Sequence, residues 1–212
     1  MATIEPQPEP QASPQPVSIG DELERWLTGE GEKTLGSLVE AFGEKSFAVL
    51  FVLLLGVPAL PLPTGGATHV FEVIAALIAL ELIVGRHEVW LPKRWRALSM
   101  AGDKQRRFLA SLTRLIRRLE RISRPRLAFL FAHRVSDVVF GLLVIGGAAA
   151  AFVAPPFSGL DTLPALGVVV LSLAVLFKDV LVAGAGLVLF IVGVVLEVVL
   201  GAAAVHGISS LL

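Results

Sequence analysis

The chain lacks cysteine and tyrosine altogether, and its 212 residues include only two methionines and three tryptophans. Without cysteine there is no disulfide framework, no thiol nucleophile and no cysteine-ligated metal site. The four histidines are widely dispersed, and the sequence has no glycine-rich nucleotide loop, no HExxH sequence and no nucleophile elbow. We therefore predict a protein that is not an enzyme and that binds neither a metal ion nor a cofactor.

Apolar residues are abundant, at 55% of the chain, and the mean hydropathy is +0.78. Several apolar runs approach or exceed the length of a helix that crosses a bilayer. The first 20 residues are rich in proline and glutamine and lack apolar periodicity, which is typical of a disordered tail. The composition predicts an all-α integral membrane protein with a polar N-terminal tail.

Two stretches, 47–85 and 135–178, share a pattern in which two apolar runs are joined by a Pro/Gly cluster. At an offset of 94 residues, Pro61 matches Pro155, Gly65 matches Gly159 and Thr68 matches Thr162. This pattern predicts a duplicated helical hairpin. The arms 47–60 and 69–84 would be about 21 and 24 Å long as helices, against a hydrocarbon core of about 30 Å. The hairpins are therefore either re-entrant or a thin-spanning pair of helices.

The Pro/Gly clusters are candidate binding sites, because prolines leave carbonyls without helical donors and glycines expose amides. Broken helices in paired repeats mark substrate sites in transporters, and the alternative is a plain turn between spanning helices. A carboxylate in hydrocarbon usually faces a cavity or a partner, which favours Glu72. For Glu81 and Glu197 we favour structural roles. The predicted substrate-binding residues are Pro61, Pro63, Thr64, Gly65, Gly66, Glu72, Pro155, Pro156, Ser158, Gly159 and Asp161.

The formal net charge of zero conceals a strong segregation of charge. Residues 1–46 carry nine acidic and three basic side chains, whereas residues 86–134 carry fourteen basic and three acidic ones. Positive charge beside membrane segments stays in the cytoplasm, so we predict a cytoplasmic location for 86–134. Within it, 104–122 has the spacing of an amphipathic helix at the membrane interface. The residues predicted to contact anionic headgroups or a protein partner are Arg114, Arg117, Arg118 and Arg121.

The remaining segments follow from local signals. An amphipathic helical segment is predicted in 21–46, with Thr34 as a cap and Gly43 as a helix end. The predicted division of the chain is a tail at 1–20, the amphipathic segment at 21–46, hairpins at 47–85 and 135–178, the basic segment at 86–134 and a C-terminal transmembrane helix within 179–212.

The two Pro/Gly clusters and their surroundings resemble the ExoD family of exopolysaccharide synthesis proteins over about residues 34–205. The similarity is carried by PALPLPTGG, LELIVGRHEVWLPKRW, RLIRRLERISRPRL and LPALGVVVLSLAVLFKD. The resemblance implies a small multi-pass protein of the bacterial cytoplasmic membrane with a role in exopolysaccharide production. It implies no defined reaction and no catalytic residues.

Two functions are compatible with these features. The first is a transporter-like protein with its site at the two clusters. The second is a non-transporting accessory subunit whose basic segment docks a polysaccharide synthase or anionic lipid. A homodimer is expected for a small membrane protein, and nucleic acid is not expected as a partner.

Overall fold

The computed structural model describes residues 18–60, 69–154 and 159–209, and these residues are helical or lie in short connections, with no strand among them. Short 3₁₀ turns lie at Gly43–Lys45 and Ala128–Ala132. The helices are α1 (Ile19–Thr28), α2 (Leu35–Phe42), α3 (Ser46–Gly56), α4 (His69–Val84), α5 (Lys93–Arg96), α6 (Asp103–Ile122), α7 (Arg134–Val153), α8 (Thr162–Phe177) and α9 (Val180–Ser209).

The local signals in the sequence account for most helix boundaries. The hydroxyl of Thr34 accepts from the Ser37 amide at the start of α2, and Gly43 with a φ of +50° ends that helix, as predicted. α4 has the predicted bounds. α1 begins at Ile19, two residues before the predicted amphipathic segment, and α3 ends at Gly56, before the end of the predicted arm 47–60. The start of α1 is stabilised by the carboxylate of Glu120, which is distant in sequence and leaves no local signal.

α3 and α8 form the centre of the bundle. Residues 46–55 of α3 are all buried, and so are ten residues of α8. Neither helix has a polar face, which is the pattern of a helix surrounded by protein or lipid on all sides. α8 packs most extensively against α9 and also against α3. The apolar runs that the sequence marked as membrane arms therefore include the two helices that protein covers most.

The helix ends that flank the two Pro/Gly clusters meet at one end of the bundle, here called the broken end. The ring of His69, the first residue of α4, lies 4.8 Å from the ring of Phe152 near the end of α7. At the other ends of these two helices, Arg134 Nη2 donates to the Ile83 carbonyl over 2.7 Å. α4 and α7 are therefore antiparallel.

α3 and α8 repeat this arrangement. A cavity of about 450 Å³ is lined by Gly56 and Leu60 at the end of α3 and by Leu166 near the start of α8. α3 and α7 thus run toward the broken end, whereas α4 and α8 run away from it. The first helix of each pair packs against the second helix of the other pair, and both pairs point the same way along the bundle.

α6 lies alongside the bundle rather than across one of its ends. Phe108, near the start of α6, contacts α3 at Gly56, close to the broken end. Just after α6, the Ser123 hydroxyl donates over 2.9 Å to Asp179, which follows α8 at the opposite end. The helix is therefore roughly antiparallel to α3 and parallel to α8.

Protein covers part of the apolar face of α6. Leu109, Leu112 and Ile116 are buried, and α1 packs against the helix, whereas Leu115 and Ile122 of the same face are exposed. The bundle therefore covers part of the face that the sequence predicts at the membrane interface, and the interfacial position stays a prediction. Periodicity identifies an apolar face but not the surface that covers it.

The bundle has two contrasting flanks. On the apolar flank, α4, α7 and α9 expose large aliphatic side chains, such as Val84, Val139 and Val188. On the charged flank, α1 and α6 expose acidic and basic side chains. Among the described residues, Arg134–Val153 and Val180–Ala203 are long and apolar enough to cross a bilayer, by length and composition. Both of these helices belong to the apolar flank.

The α8–α9 contact depends on glycine at positions where the backbones meet. A Cβ at Gly193 would lie 2.6 Å from the Pro164 nitrogen, whereas one at Gly184, also on α9, would meet nothing within 4 Å. We predict that Gly193→Ala destabilises the protein by about 1–3 kcal/mol through overpacking. Gly184→Ala is the matched control and should gain up to about 1 kcal/mol of helix propensity. Thermal unfolding in detergent measures both, and equal melting temperatures would contradict the packing.

Candidate functional site

A buried carboxylate marks the broken end. Glu72 lies in the first turn of α4 and is only 1% exposed. Its Oε2 lies 2.7 Å from Nδ1 of His69, one turn earlier, which is the spacing that places two side chains on the same helix face. The start of a helix also favours negative charge, because its first amides point toward the carboxylate. The sequence therefore builds an acid–imidazole pair where α4 begins.

Two further carboxylates approach this pair. Asp161 immediately precedes α8, and the charge of His69 acts on it. Glu197, in the middle of α9, is 9% exposed, and the charges of Asp161 and Glu72 both act on it. Three carboxylates and one imidazole, from α4, α9 and the residue before α8, thus form the broken-end cluster (His69, Glu72, Asp161 and Glu197).

The members of the cluster differ in how they are stabilised. Glu72 has His69 beside it, and Asp161 is half-exposed at the start of α8. Glu197 has neither advantage, because α9 places it far from a helix start. Its Oε2 is buried and has no hydrogen-bond partner among the described residues. A buried polar oxygen without a donor is costly unless a further ligand satisfies it.

The structure brings together part of the predicted site. Glu72 and Asp161 lie in the cluster, and Gly159, with a φ of +69°, lies two residues before Asp161. The other predicted residues lie outside the described residues, namely Pro61, Pro63, Thr64, Gly65, Gly66, Pro155, Pro156 and Ser158. Sequence reasoning missed His69 and Glu197 as partners of Glu72. A helical wheel identifies the first, but only the antiparallel α8–α9 contact identifies the second.

The predicted arginine set is divided by α1. Arg117 forms ion pairs with Asp21, at 3.0 Å, and with Glu24. One turn away on α6, Glu120 accepts from the Ser18 hydroxyl and from the Ile19 amide, both over 2.7 Å. The acidic N-terminal helix therefore neutralises part of the basic helix. The members of the set that remain exposed are Arg114, Arg118 and Arg121.

A groove of about 1130 Å³ runs between α6 and the connection from α1 to α2. Arg106 and Arg114 contribute positive charge to its wall, and Glu30 and Glu32 contribute negative charge. The groove is therefore of mixed charge, with acidic side chains of the α1–α2 connection opposite basic side chains of α6.

Asp179 fastens the basic segment to the bundle at the end opposite the cluster. It is buried, and its Oδ2 accepts from the Ser123 hydroxyl at 2.9 Å and from the Arg124 amide at 3.0 Å. Its Oδ1 accepts from the Leu181 amide at 2.9 Å, at the start of α9. Burial alone would raise the pKa of Asp179. The three hydrogen bonds and the charge of Arg126 lower the pKa by more, so the pKa of Asp179 lies below its ordinary value.

The family model described as "Exopolysaccharide synthesis, ExoD" matches residues 19–199. An uncharacterized protein of Synechocystis sp. is 31% identical over 145 residues, which are 68% of each chain. Protein ExoD of Rhizobium meliloti is 31% identical over 172 residues, which are 81% of this chain and 71% of that protein. No solved structure matches the chain.

Asp179→Asn should lower the free energy of unfolding by about 1–3 kcal/mol at neutral pH, because a buried acceptor of three hydrogen bonds loses its charge. Since the pKa of Asp179 is lower in the folded state, its contribution is complete above the unfolded pKa of about 3.9. It is lost as the pH falls through the folded pKa.

Thermal unfolding of the wild type and the variant from pH 3 to pH 8 tests this. The difference in melting temperature should be constant above about pH 5 and shrink below about pH 4. Glu44→Gln, which removes an exposed carboxylate, is the control. A difference in melting temperature that stays unchanged down to pH 3, or an equal loss in the control, would show that the Asp179 carboxylate does not stabilise the contact between the basic segment and the bundle.

Proposed function

We propose a function from the premise that this chain belongs to the ExoD family, which is linked to exopolysaccharide synthesis. Membership and the two membrane-length helices indicate a membrane protein. On this basis the protein is a transporter-like component of exopolysaccharide synthesis in the bacterial cytoplasmic membrane. It binds its solute at the broken end and makes or breaks no covalent bond in it.

One observation carries this proposal: the buried acid–imidazole pair at the start of α4 lies near two further carboxylates, one of them just before α8. Ionisable groups within an apolar bundle are expensive, and they are retained where they face a cavity, a partner or a pathway. Helix starts that flank a break in the chain offer free amides and carbonyls to a polar solute. The buried ionisable groups and the two helix starts that flank a break are found at the same end of the bundle, on α4 and before α8.

The segments that contain the Pro/Gly clusters, 61–68 and 155–158, lie outside the described residues. Along the chain they connect the helix ends that meet at the broken end. The predicted re-entrant tips fall in these segments, and the proposed site rests on the described cluster alone.

A homodimer accommodates both flanks in a bilayer. Because α6 is aligned with α3 and α8, its exposed arginines extend along the bundle and cannot face hydrocarbon if α7 and α9 span the membrane. We propose that two copies bring their charged flanks together, with the acidic α1 of one beside the basic α6 of the other. Sedimentation in detergent should give a dimer.

The accessory-subunit function is the second candidate, and the exposed arginines of α6 favour it. Arg114, Arg118 and Arg121 stay available when Arg117 is paired with α1. In this alternative the charged flank contacts a polysaccharide synthase or anionic lipid instead of a second copy. The two candidates therefore differ in whether function depends on the broken-end cluster or on the charged flank.

Glu72→Gln tests the transport-like site. The change keeps the shape of the side chain and removes its charge, so we expect exopolysaccharide output to fall by roughly tenfold or more, because a pathway carboxylate acts through its charge. The protein should still be present in the membrane fraction at the wild-type level. Glu81→Gln on the same helix is the matched control, since Glu81 accepts from the Trp90 amide away from the cluster, and it should retain output. Normal output from Glu72→Gln would contradict the proposal.

The accessory function makes a different prediction for the arginines. Each basic side chain near an anionic surface contributes about 1 kcal/mol, so replacing Arg114, Arg118 and Arg121 by Gln should weaken binding to anionic liposomes roughly 100-fold at low salt. The matched control replaces Arg86, Lys93 and Arg94, which removes the same charge from another surface. If both triple variants bind equally and keep exopolysaccharide output, the accessory function is excluded.

A further inference from the structure

We propose that the broken-end cluster binds a proton and that Glu197 carries it at neutral pH. This inference rests on the proposed site and names the ion that the site takes. The proton would be the coupling ion of the transport-like cycle, taken up when the site is empty of solute and displaced when a cationic or hydrogen-bonding group of the solute enters.

The argument begins with the charge of the cluster. Glu72, Asp161 and Glu197 together bring three carboxylates, and His69 brings at most one positive charge. Neighbouring carboxylates in a poorly solvated site cannot all be ionised, because each charge opposes the next. At least one of the three therefore holds a proton unless a cation neutralises it.

Among the described residues, no cation is recorded whose charge acts on Glu197. Arg107 of α6 lines the cavity near this end, yet the charges that act on Glu197 are those of Asp161 and Glu72. Residues 61–68 (PLPTGGAT) and 155–158 (PPFS), which adjoin the cluster along the chain, contain no ionisable side chain. On α7 the ionisable groups Asp137 and Arg134 lie near its first residue, about 24 and 29 Å from the broken end at 1.5 Å per residue. On α4, Glu81 lies near the far end. Further along α9, His206 is about 13 Å from Glu197 at the same rise.

Within the cluster, Glu197 is the carboxylate least able to remain ionised. Glu72 has the imidazole of His69 at 2.7 Å, and Asp161 is half-exposed and lies at the start of α8, where the helix favours negative charge. Glu197 is buried, lies next to the other two charges, and has an Oε2 without a donor. A proton on Glu197 converts this oxygen into a hydroxyl donor that can be shared with Glu72 or Asp161. Protonation thus removes the charge and pairs the orphaned oxygen in one step.

Infrared spectroscopy of the purified protein in lipid tests the proposal, because a protonated carboxylic acid has a carbonyl stretch separate from that of carboxylates. We expect one such band per chain at pH 7, lost completely in Glu197→Gln and retained in Glu81→Gln. Glu197→Asp keeps the carboxyl group, so it should retain a shifted band and show that folding is not the cause of the loss. Absence of the band in the wild type, or its persistence in Glu197→Gln, would overturn the proposal.

These results are independent of the test of the proposed function. A carboxylic acid band on Glu197 together with normal exopolysaccharide output from Glu72→Gln would keep the proton site and reject the transport-like role. Loss of exopolysaccharide output in Glu72→Gln without any carboxylic acid band would support the transport-like site and reject the proposal that Glu197 holds a proton.

Discussion

The close approach of α8 and α9 determines where the buried acids lie. Gly167 and Gly193 let the two backbones meet, with Gly167 against Phe190 and Gly193 against Pro164. Since the helices are antiparallel, one turn beyond Gly193 on α9 lies opposite the residue before α8, and there Glu197 meets Asp161. A shift of one residue in this register would rotate Glu197 by about 100° and direct its charge out of the cluster. The packing of small residues thus sets the chemistry of the broken end.

The two flanks of the bundle also differ in the surroundings that they require. Protein covers α3 and α8, the apolar flank is suited to lipid, and the charged flank requires water or another protein surface. Asp179 joins these parts at the end opposite the cluster by tying the segment after α6 to the start of α9. The basic helix is therefore part of the bundle, and its partial neutralisation by Asp21 and Glu24 limits the charge that remains for a partner.

Local sequence signals predicted local structure well and long-range contacts poorly. The cap at Thr34, the helix end at Gly43, the bounds of α4 and the all-helical class follow from short-range chemistry, and all are confirmed. The interfacial position of α6 stays a prediction, because its apolar face fits a protein bundle as well as a membrane interface. For Glu197 the sequence favours helix packing or interfacial placement, because its cluster neighbours lie far away in sequence. The family, by contrast, was identifiable from a few motifs, and the comparisons confirm it.

The central claim is that the helix ends flanking the two Pro/Gly clusters meet at one end of the bundle and build a shared site there. Cysteine cross-linking tests this directly, because the native chain has no cysteine. A His69→Cys, Phe152→Cys double variant in membranes should be joined within one chain by a short bismaleimide, since the native rings lie 4.8 Å apart. The pair His69→Cys, Val135→Cys, separated by most of the roughly 30 Å length of α7, should not be joined. Equal cross-linking of both pairs, or of neither, would contradict the shared site.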